Sequence, residues 1–134
     1  MAKKEFSFRG KTMEELVAMD LGDFALLAGT RIKRKIKRGI DKKILKKIDT
    51  AFAIKQSGKE PKAVRTHVRD FPILPKMVGL RLEVHKGNGF AIVEVKDKML
   101  GHVLGEFALT RKRLSHGKAG IGATKSSTAI TARG

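Results

Sequence analysis

The chain has 134 residues, with 30 Lys and Arg against 13 Asp and Glu, which gives a formal net charge of +17. An apolar fraction of 41% permits one modest core, and the absence of cysteine excludes disulfides and cysteine-based zinc sites. No run approaches the roughly 18 apolar residues of a membrane span, and no apolar run of the signal-peptide kind follows the first lysines. We therefore expect a cytoplasmic protein without a membrane partner.

The positive charge is concentrated in one run. Between Arg31 and Lys47 ten of seventeen residues are basic, with only Asp41 against them. Such charge repels itself unless a polyanion compensates it, and a nucleic acid is the first candidate because neutralised phosphates release counterions. The lack of interleaved aromatic residues favours a structured nucleic acid that is recognised through its sugar-phosphate backbone. The predicted phosphate contacts are Arg31, Lys33, Arg34, Lys35, Lys37, Arg38, Lys42 and Lys43.

Residues 1–60 are predicted to form a helical, strongly basic N-terminal region. Residues 6–8 resemble a short extended piece, and the capping-box pair Thr12 and Glu15 opens a short helix. A second helix is predicted from residues 21–23 to about residue 38.

A helix break is predicted at Gly39, which can adopt the left-handed conformation that ends a helix. Asp41 can then cap a third helix, giving a helical hairpin region. Isoleucine recurs every fourth residue across the break, and one straight helix would let that stripe drift around its axis. The third helix is expected to bury Ile44, Leu45, Ile48 and Phe52.

Residues 61–109 are predicted to form a small α+β core, after a linker at residues 56–62. Three segments have the alternation of short strands, and a Gly-Asn turn joins the last two. These segments cover residues 64–69, 80–85 and 90–95. A short helix capped by Asp97 is predicted next, with Leu100, Val103, Leu104 and Phe107 at helical spacing. The predicted fold class is α+β, with a small sheet of two to three short strands, a short helix and an extended basic tail.

Two glycines, Gly101 and Gly105, interrupt this predicted helix and weaken it by roughly 1 kcal/mol each. They indicate close packing against another backbone, of protein or of nucleic acid.

Residues 110–134 are predicted to be a basic tail rich in Gly, Ser and Thr. It cannot bury enough apolar surface to offset its ordering entropy, so we expect it to order on RNA. Its glycine-rich stretch departs from a phosphate-binding loop, because Ala123 rather than Lys follows Gly122.

Two alternative functions remain open from the residues alone. A basic DNA-compacting protein would share the charge. A metal-dependent nuclease could use Glu94 and Lys96 as an acid-x-Lys pair, with Asp70 as the second carboxylate. The four histidines contain no i, i+4 pair, so no metal site is predicted.

Several motifs resemble a known family. The segments Gly101-His-Val-Leu-Gly-Glu-Phe107, Thr110-Arg111 and His116-Gly117 resemble the signature of the universal small-subunit ribosomal protein numbered nineteen in bacteria. Residues 71–79 and the pair Val84-His85 are similar to other segments of that family, so the resemblance covers about residues 64–131. Residues 1–60 and 121–127 resemble the archaeal and eukaryotic branch.

This resemblance implies a structural constituent of the small-subunit head, without catalysis, cofactor or small-molecule substrate. It implies binding to the 3′ major domain of the rRNA beside head protein thirteen, with the tail near the decoding region and aminoacyl-site tRNA. The RNA contacts that it implies are His67, Arg69, Lys76, His102, Thr110, Arg111, Arg113, His116 and Lys118. The charge of the tail adds Lys112 and Lys125.

Overall fold

The structure, a computed structural model, describes residues 6–113. Within that range it contains four α-helices, a two-stranded sheet and a three-stranded sheet. The predicted α+β class is therefore confirmed. None of the helices in residues 6–113 is both long enough and apolar enough to cross a membrane.

A small hairpin opens the described chain. Strand β1 (Ser7–Phe8) pairs antiparallel with β2 (Lys11–Thr12). Arg9 and Gly10 join them with φ of 49° and 82°, and two successive positive φ values are typical of the tight turn that suits twisted strands. The Thr12 hydroxyl then accepts a hydrogen bond from the Glu15 amide and caps α1 (Met13–Ala18). The extended piece and the cap are both confirmed.

The prediction of one helix from residue 21 to residue 38 is wrong. The structure has α2 (Leu21–Leu27) and α3 (Thr30–Arg38), separated where Ala28 and Gly29 take extended ψ angles of 162° and 160°. This break lets the two helices fold against each other, and each inserts a large side chain into the core, Phe24 from α2 and Ile32 from α3. Burial of these side chains outweighs the continuity of the helix.

The predicted break at Gly39 is confirmed. Gly39 has a φ of 102°, and α4 (Lys42–Gln56) begins after it. The Asp41 carboxylate caps α4 by accepting hydrogen bonds from the amides of Lys43, at 2.9 Å, and Ile44, at 3.4 Å. α4 buries Ile44 and Ile48 as predicted, whereas Leu45 and Phe52 are only half-buried.

All three predicted strands form one sheet. Strand β3 (Val64–Thr66) is parallel to β4 (Arg81–His85), and β4 is antiparallel to β5 (Phe90–Glu94). The chain between the parallel strands passes through a 3₁₀ turn at Pro75–Met77. The β4–β5 hairpin places His85 opposite Phe90.

The prediction of a helix through Leu100, Val103, Leu104 and Phe107 is wrong. That part of the chain has two 3₁₀ turns, Asp97–Met99 and Leu104–Glu106, and between them Gly101 has a left-handed φ of 81°. Its backbone forms hydrogen bonds within these two short turns and also with the segment at residues 69–73. The Ile73 amide donates to the His102 carbonyl at 2.9 Å, and the Leu104 amide donates to the Phe71 carbonyl at 3.0 Å.

One hydrophobic core joins both halves of the described chain. Helix residues such as Leu16, Phe24 and Ile48 belong to the same buried cluster as Phe71 and Leu82. The helices are thereby fixed to the sheet, and α3 is held so that its cations face outward.

Candidate nucleic-acid interface

The cations of α3 lie on the side of the helix that faces away from the core. Successive helical residues are turned by about 100°, so Arg34 and Arg38 share one face and Ile32 and Ile36 the opposite one. Ile32 is 2% exposed, whereas both arginines are exposed. Lys33 and Lys37 are also exposed, so the basic surface extends around most of the helix.

Two other cations of α3 fix the helix to the rest of the protein. Lys35 is half-buried and forms an ion pair with Asp70, which precedes the buried Phe71. The hydrogen bond from Lys35 is the main cause that holds the pKa of Asp70 below its usual value. Arg31 lies 3.7 Å from the Glu106 carboxylate. Lys35 is therefore engaged within the protein, and Arg31 is largely exposed with one weak partner.

The remaining basic residues of the run have no acidic partner in the part of the chain that the structure describes. Within residues 6–113, no ion pair involves Lys33, Arg34, Lys37, Arg38, Lys42, Lys43, Lys46 or Lys47. All eight are exposed. Such a surface repels itself in the free protein and attracts a polyanion.

A cleft of about 380 Å³ lies along α3. It is lined by Thr30, Arg31, Arg34, Lys35, Arg38, Asp70 and Val103. Four of these side chains are cations and one is an anion already paired with Lys35. The cleft can therefore accept phosphate oxygens between Arg34 and Arg38, where planar guanidinium groups provide paired donors.

Arg69 has a role inside the protein. Its guanidinium donates hydrogen bonds to three backbone carbonyls, those of His85 at 2.5 Å, Gly105 at 2.9 Å and Ala108 at 2.5 Å. The His85 carbonyl belongs to the β4–β5 hairpin, whereas those of Gly105 and Ala108 belong to one later segment, so Arg69 joins the hairpin to that segment. The structure thus turns this predicted RNA contact inward.

Two further predicted RNA contacts have protein partners at the surface. Lys76 lies 3.6 Å from the Asp49 carboxylate, and both side chains are about half exposed. His102 Nδ1 lies 2.5 Å from the Glu106 carboxylate, and its ring meets the edge of Phe107. These two residues remain accessible to a ligand, but neither is free of local contacts.

The predicted contacts at the end of the described chain remain exposed. Thr110, Arg111 and Lys112 line a cleft of about 620 Å³ with Lys86, Gly87, Asn88 and Leu109 at the tip of the β4–β5 hairpin. Arg113 is also exposed. His116, Lys118 and Lys125 lie outside the described residues.

Of the two glycines predicted to pack against a backbone, Gly105 does so within this protein, whereas Gly101 faces a side-chain ring. A Cβ added to Gly105 would stand 3.0 Å from the Arg69 carbonyl oxygen and 3.2 Å from the Arg69 Cβ. A Cβ added to Gly101 would stand 3.3 Å from the Phe8 ring. Gly105 therefore lets the backbone approach Arg69, and Gly101 supplies a left-handed turn beneath Phe8.

The structure does not bring together Asp70 and Glu94, the two carboxylates of the nuclease hypothesis. Asp70 lies beside α3, paired with Lys35, whereas Glu94 lines a separate cleft with Lys55, Lys59 and Arg81. Among the described residues no group of three or more His, Cys, Asp or Glu could hold a metal ion. The carboxylate pair that the hypothesis requires is not formed here.

Sequence reasoning missed an aromatic cluster on the open face of the three-stranded sheet. The rings of His67, His85 and Phe90 contact one another, and the Arg65 guanidinium lies 4.5 Å from the centre of the Phe90 ring. The signal was present in the hairpin, because a four-residue turn after His85 pairs it with Phe90. The position of β3 beside β4 was not predictable, and it is what brings His67 into the cluster.

The exposed cations that have no ion pair within residues 6–113 are typical of a nucleic-acid-binding protein. A family model described as Ribosomal protein S19 matches residues 30–116, which is more than half of the chain. The chain belongs to this family, and it is thus a small-subunit ribosomal protein that binds rRNA. The family is structural rather than enzymatic.

The matched region changes one expectation from the sequence. It begins at Thr30, the first residue of α3, rather than near residue 64. The basic helices α3 and α4 therefore lie within the family's own domain, and the match ends at His116.

Proposed function

We propose that the chain is a structural component of the small-subunit head that binds the 3′ major domain of the rRNA chiefly through α3. The observation that supports this assignment is the exposed set of cations on α3, which have no ion pair within residues 6–113 and are held outward by burial of Ile32. Four of them, Lys33, Arg34, Lys37 and Arg38, would each neutralise about one phosphate. We expect log affinity to fall by about 3 to 4 for each tenfold rise in salt from this helix alone.

The first experiment measures binding to an rRNA fragment from the 3′ major domain across a salt series. The test variant carries Arg34→Gln and Arg38→Gln. The matched control carries Lys62→Gln and Lys98→Gln, which removes the same charge from exposed positions outside the basic run. We expect the test variant to reduce the salt slope by about two and the control to reduce it much less.

Equal losses in the two variants would show that net charge, rather than α3, determines the affinity, and would contradict the proposal. Duplex DNA serves as a competitor in the same assay. Competition by duplex DNA equal to that by the rRNA fragment would favour the alternative of a basic DNA-compacting protein.

We also propose the finer placement that the sequence resemblance implies. The chain would contact head protein thirteen, and its tail would extend toward the decoding region and aminoacyl-site tRNA. The tail motifs and the N-terminal region support the archaeal and eukaryotic branch. Crosslinking in assembled small subunits tests these contacts, because crosslinks from residues 118–134 to rRNA remote from the decoding region would exclude the proposed path of the tail.

A further inference from the structure

The open face of the three-stranded sheet carries aromatic and cationic side chains. Alternate residues of the strands point inward, so Leu82, Val84 and Val93 are buried in the core. The residues between them lie on the opposite face, where Ile92 is 71% exposed. That face is therefore not covered by other described parts of the chain around Ile92.

Three rings on this face hold one another in place. The His67 and His85 rings lie 4.5 Å apart with an interplanar angle of 31°. Phe90 presents its ring almost perpendicular to both, at 5.1 Å from His67 and 5.2 Å from His85. His67 is exposed and the other two are half-buried, so the cluster presents the His67 ring to the outside.

An ion pair lies beside the rings on this face. Arg65 donates to the Glu83 carboxylate at 2.6 Å, and its guanidinium also covers Phe90. Arg65 and Glu83 thereby neutralise each other. The Arg65 guanidinium and the Phe90 ring are planar groups that lie side by side and are suitable for stacking. RNA bases stack on histidine and phenylalanine rings and on guanidinium planes.

A basic cleft adjoins the cluster. The Gly87 amide lies 3.3 Å from His85 Nδ1, so the hairpin tip is directly linked to the rings. The same tip forms the cleft with Thr110, Arg111 and Lys112, and none of the described residues that line it is acidic. Lys86 completes the cationic side of the cleft.

We propose that this end of the sheet binds one unpaired nucleotide of RNA, with its base stacked on the His67 ring and its phosphate in the cleft beside Lys86 and Arg111. The proposal rests on the proposed rRNA-binding function and adds a second mode to it. In this proposal α3 binds phosphates of structured RNA, whereas the sheet binds a base that is not paired within the RNA helix.

The test uses an RNA hairpin that carries a single bulged 2-aminopurine, whose fluorescence falls when the base stacks. A second hairpin with the same base paired in the stem is the probe control. For the wild-type protein we expect a change in fluorescence on saturation with the bulged probe and little change with the paired probe. His67→Ala should abolish most of that change and weaken binding of the bulged RNA on the order of tenfold. His67→Phe, which keeps a stacking ring, should retain both the fluorescence change and the affinity for the bulged RNA.

Two comparisons separate this proposal from the function of α3. The Arg34→Gln, Arg38→Gln double variant should bind more weakly but show the full fluorescence change at saturation. Ile92→Ala, which alters an exposed side chain of the same face without removing a ring, should behave as wild type. A steep salt dependence with no fluorescence change in the wild-type protein would overturn the stacking proposal and leave the α3 proposal intact. An unchanged signal in His67→Ala would also overturn it.

A photocrosslinking amino acid in place of Ile92 tests the same face in assembled small subunits. Crosslinks to rRNA support the proposal. Crosslinks to protein alone would show that the face docks another subunit protein, and would overturn it.

Discussion

Replacement of Arg69 by methionine distinguishes a structural role from an RNA contact. The motif resemblance implies that Arg69 contacts RNA, but its guanidinium donates to the carbonyls of His85, Gly105 and Ala108. Arg69→Met keeps much of the length and apolar volume of the side chain and removes every donor. We therefore expect the main effect on the stability of the free protein.

The magnitude follows from the three hydrogen bonds. A hydrogen bond from a charged donor contributes about 1.5 to 3 kcal/mol when buried. Arg69 is only half-buried, so water replaces part of this loss, and we expect Arg69→Met to lower the free energy of unfolding by about 2 to 4 kcal/mol. At about 4 °C per kcal/mol for a domain of this size, the melting temperature should fall by roughly 8 to 16 °C.

Thermal unfolding of the free protein and salt-dependent RNA binding are measured on the same samples. Arg38→Met is the matched control, because Arg38 is exposed and has no ion pair within residues 6–113. It should change stability by less than about 0.5 kcal/mol and reduce the salt slope by about one. Arg69→Met should lower the stability and leave the salt slope nearly unchanged.

A structural role for Arg69 is refuted if Arg69→Met melts within about 2 °C of the wild type while its salt slope falls as that of Arg38→Met does. Arg69→Lys gives a further check. Lysine keeps the charge but lacks the planar guanidinium with its several N–H donors. The stability of Arg69→Lys should therefore lie between those of the wild type and Arg69→Met.

Two further predictions concern packing and pH. Gly105→Ala places a methyl group 3.0 Å from the Arg69 carbonyl oxygen, and we expect a loss of about 1 to 3 kcal/mol by denaturant unfolding. Gly22→Ala, a helical position with an ordinary contact at 3.4 Å, should have the opposite sign; equal effects would contradict the packing argument. The lowered pKa of Asp70 contributes stability that is present above its unfolded value of 3.8 and is lost as pH falls through the folded pKa. Asp70→Asn should therefore be less stable than wild type at pH 6, by under about 1 kcal/mol because Asp70 is 57% exposed, and this difference should shrink as the pH is lowered below 3.8. An undiminished difference at pH 2 would exclude this titration as its source.

Local signals in the sequence predicted the parts of the fold that local chemistry controls. Thr12 and Asp41 cap helices because their oxygens accept the free amides of the first turn, and Gly39 ends a helix because it alone tolerates the left-handed backbone there at low cost. The β4–β5 hairpin was predictable for the same reason, since its turn residues and alternation are contiguous in the chain.

The two errors in the helices have one physical cause. The sequence has a continuous helical pattern between residues 21 and 38, and again between residues 97 and 107. Such a pattern shows which side chains are apolar, but it does not show against which part of the protein they are buried. Folding α2 against α3 buries Phe24 and Ile32, and pairing residues 102–104 with residues 71–73 satisfies backbone groups that a helix would have satisfied internally. Tertiary contacts therefore decided the local conformation.

The sequence by itself determined that the protein binds a polyanion, because ten basic residues against one acid cannot be neutralised within their own run. Its motifs also identified the family. Only the tertiary structure decided what each cation does. It pairs Lys35 with Asp70, turns Arg69 toward three carbonyls and leaves Arg34 and Arg38 exposed. The physical reason is that charge is a property of the residue, whereas its availability to a ligand depends on neighbours that are distant in the chain.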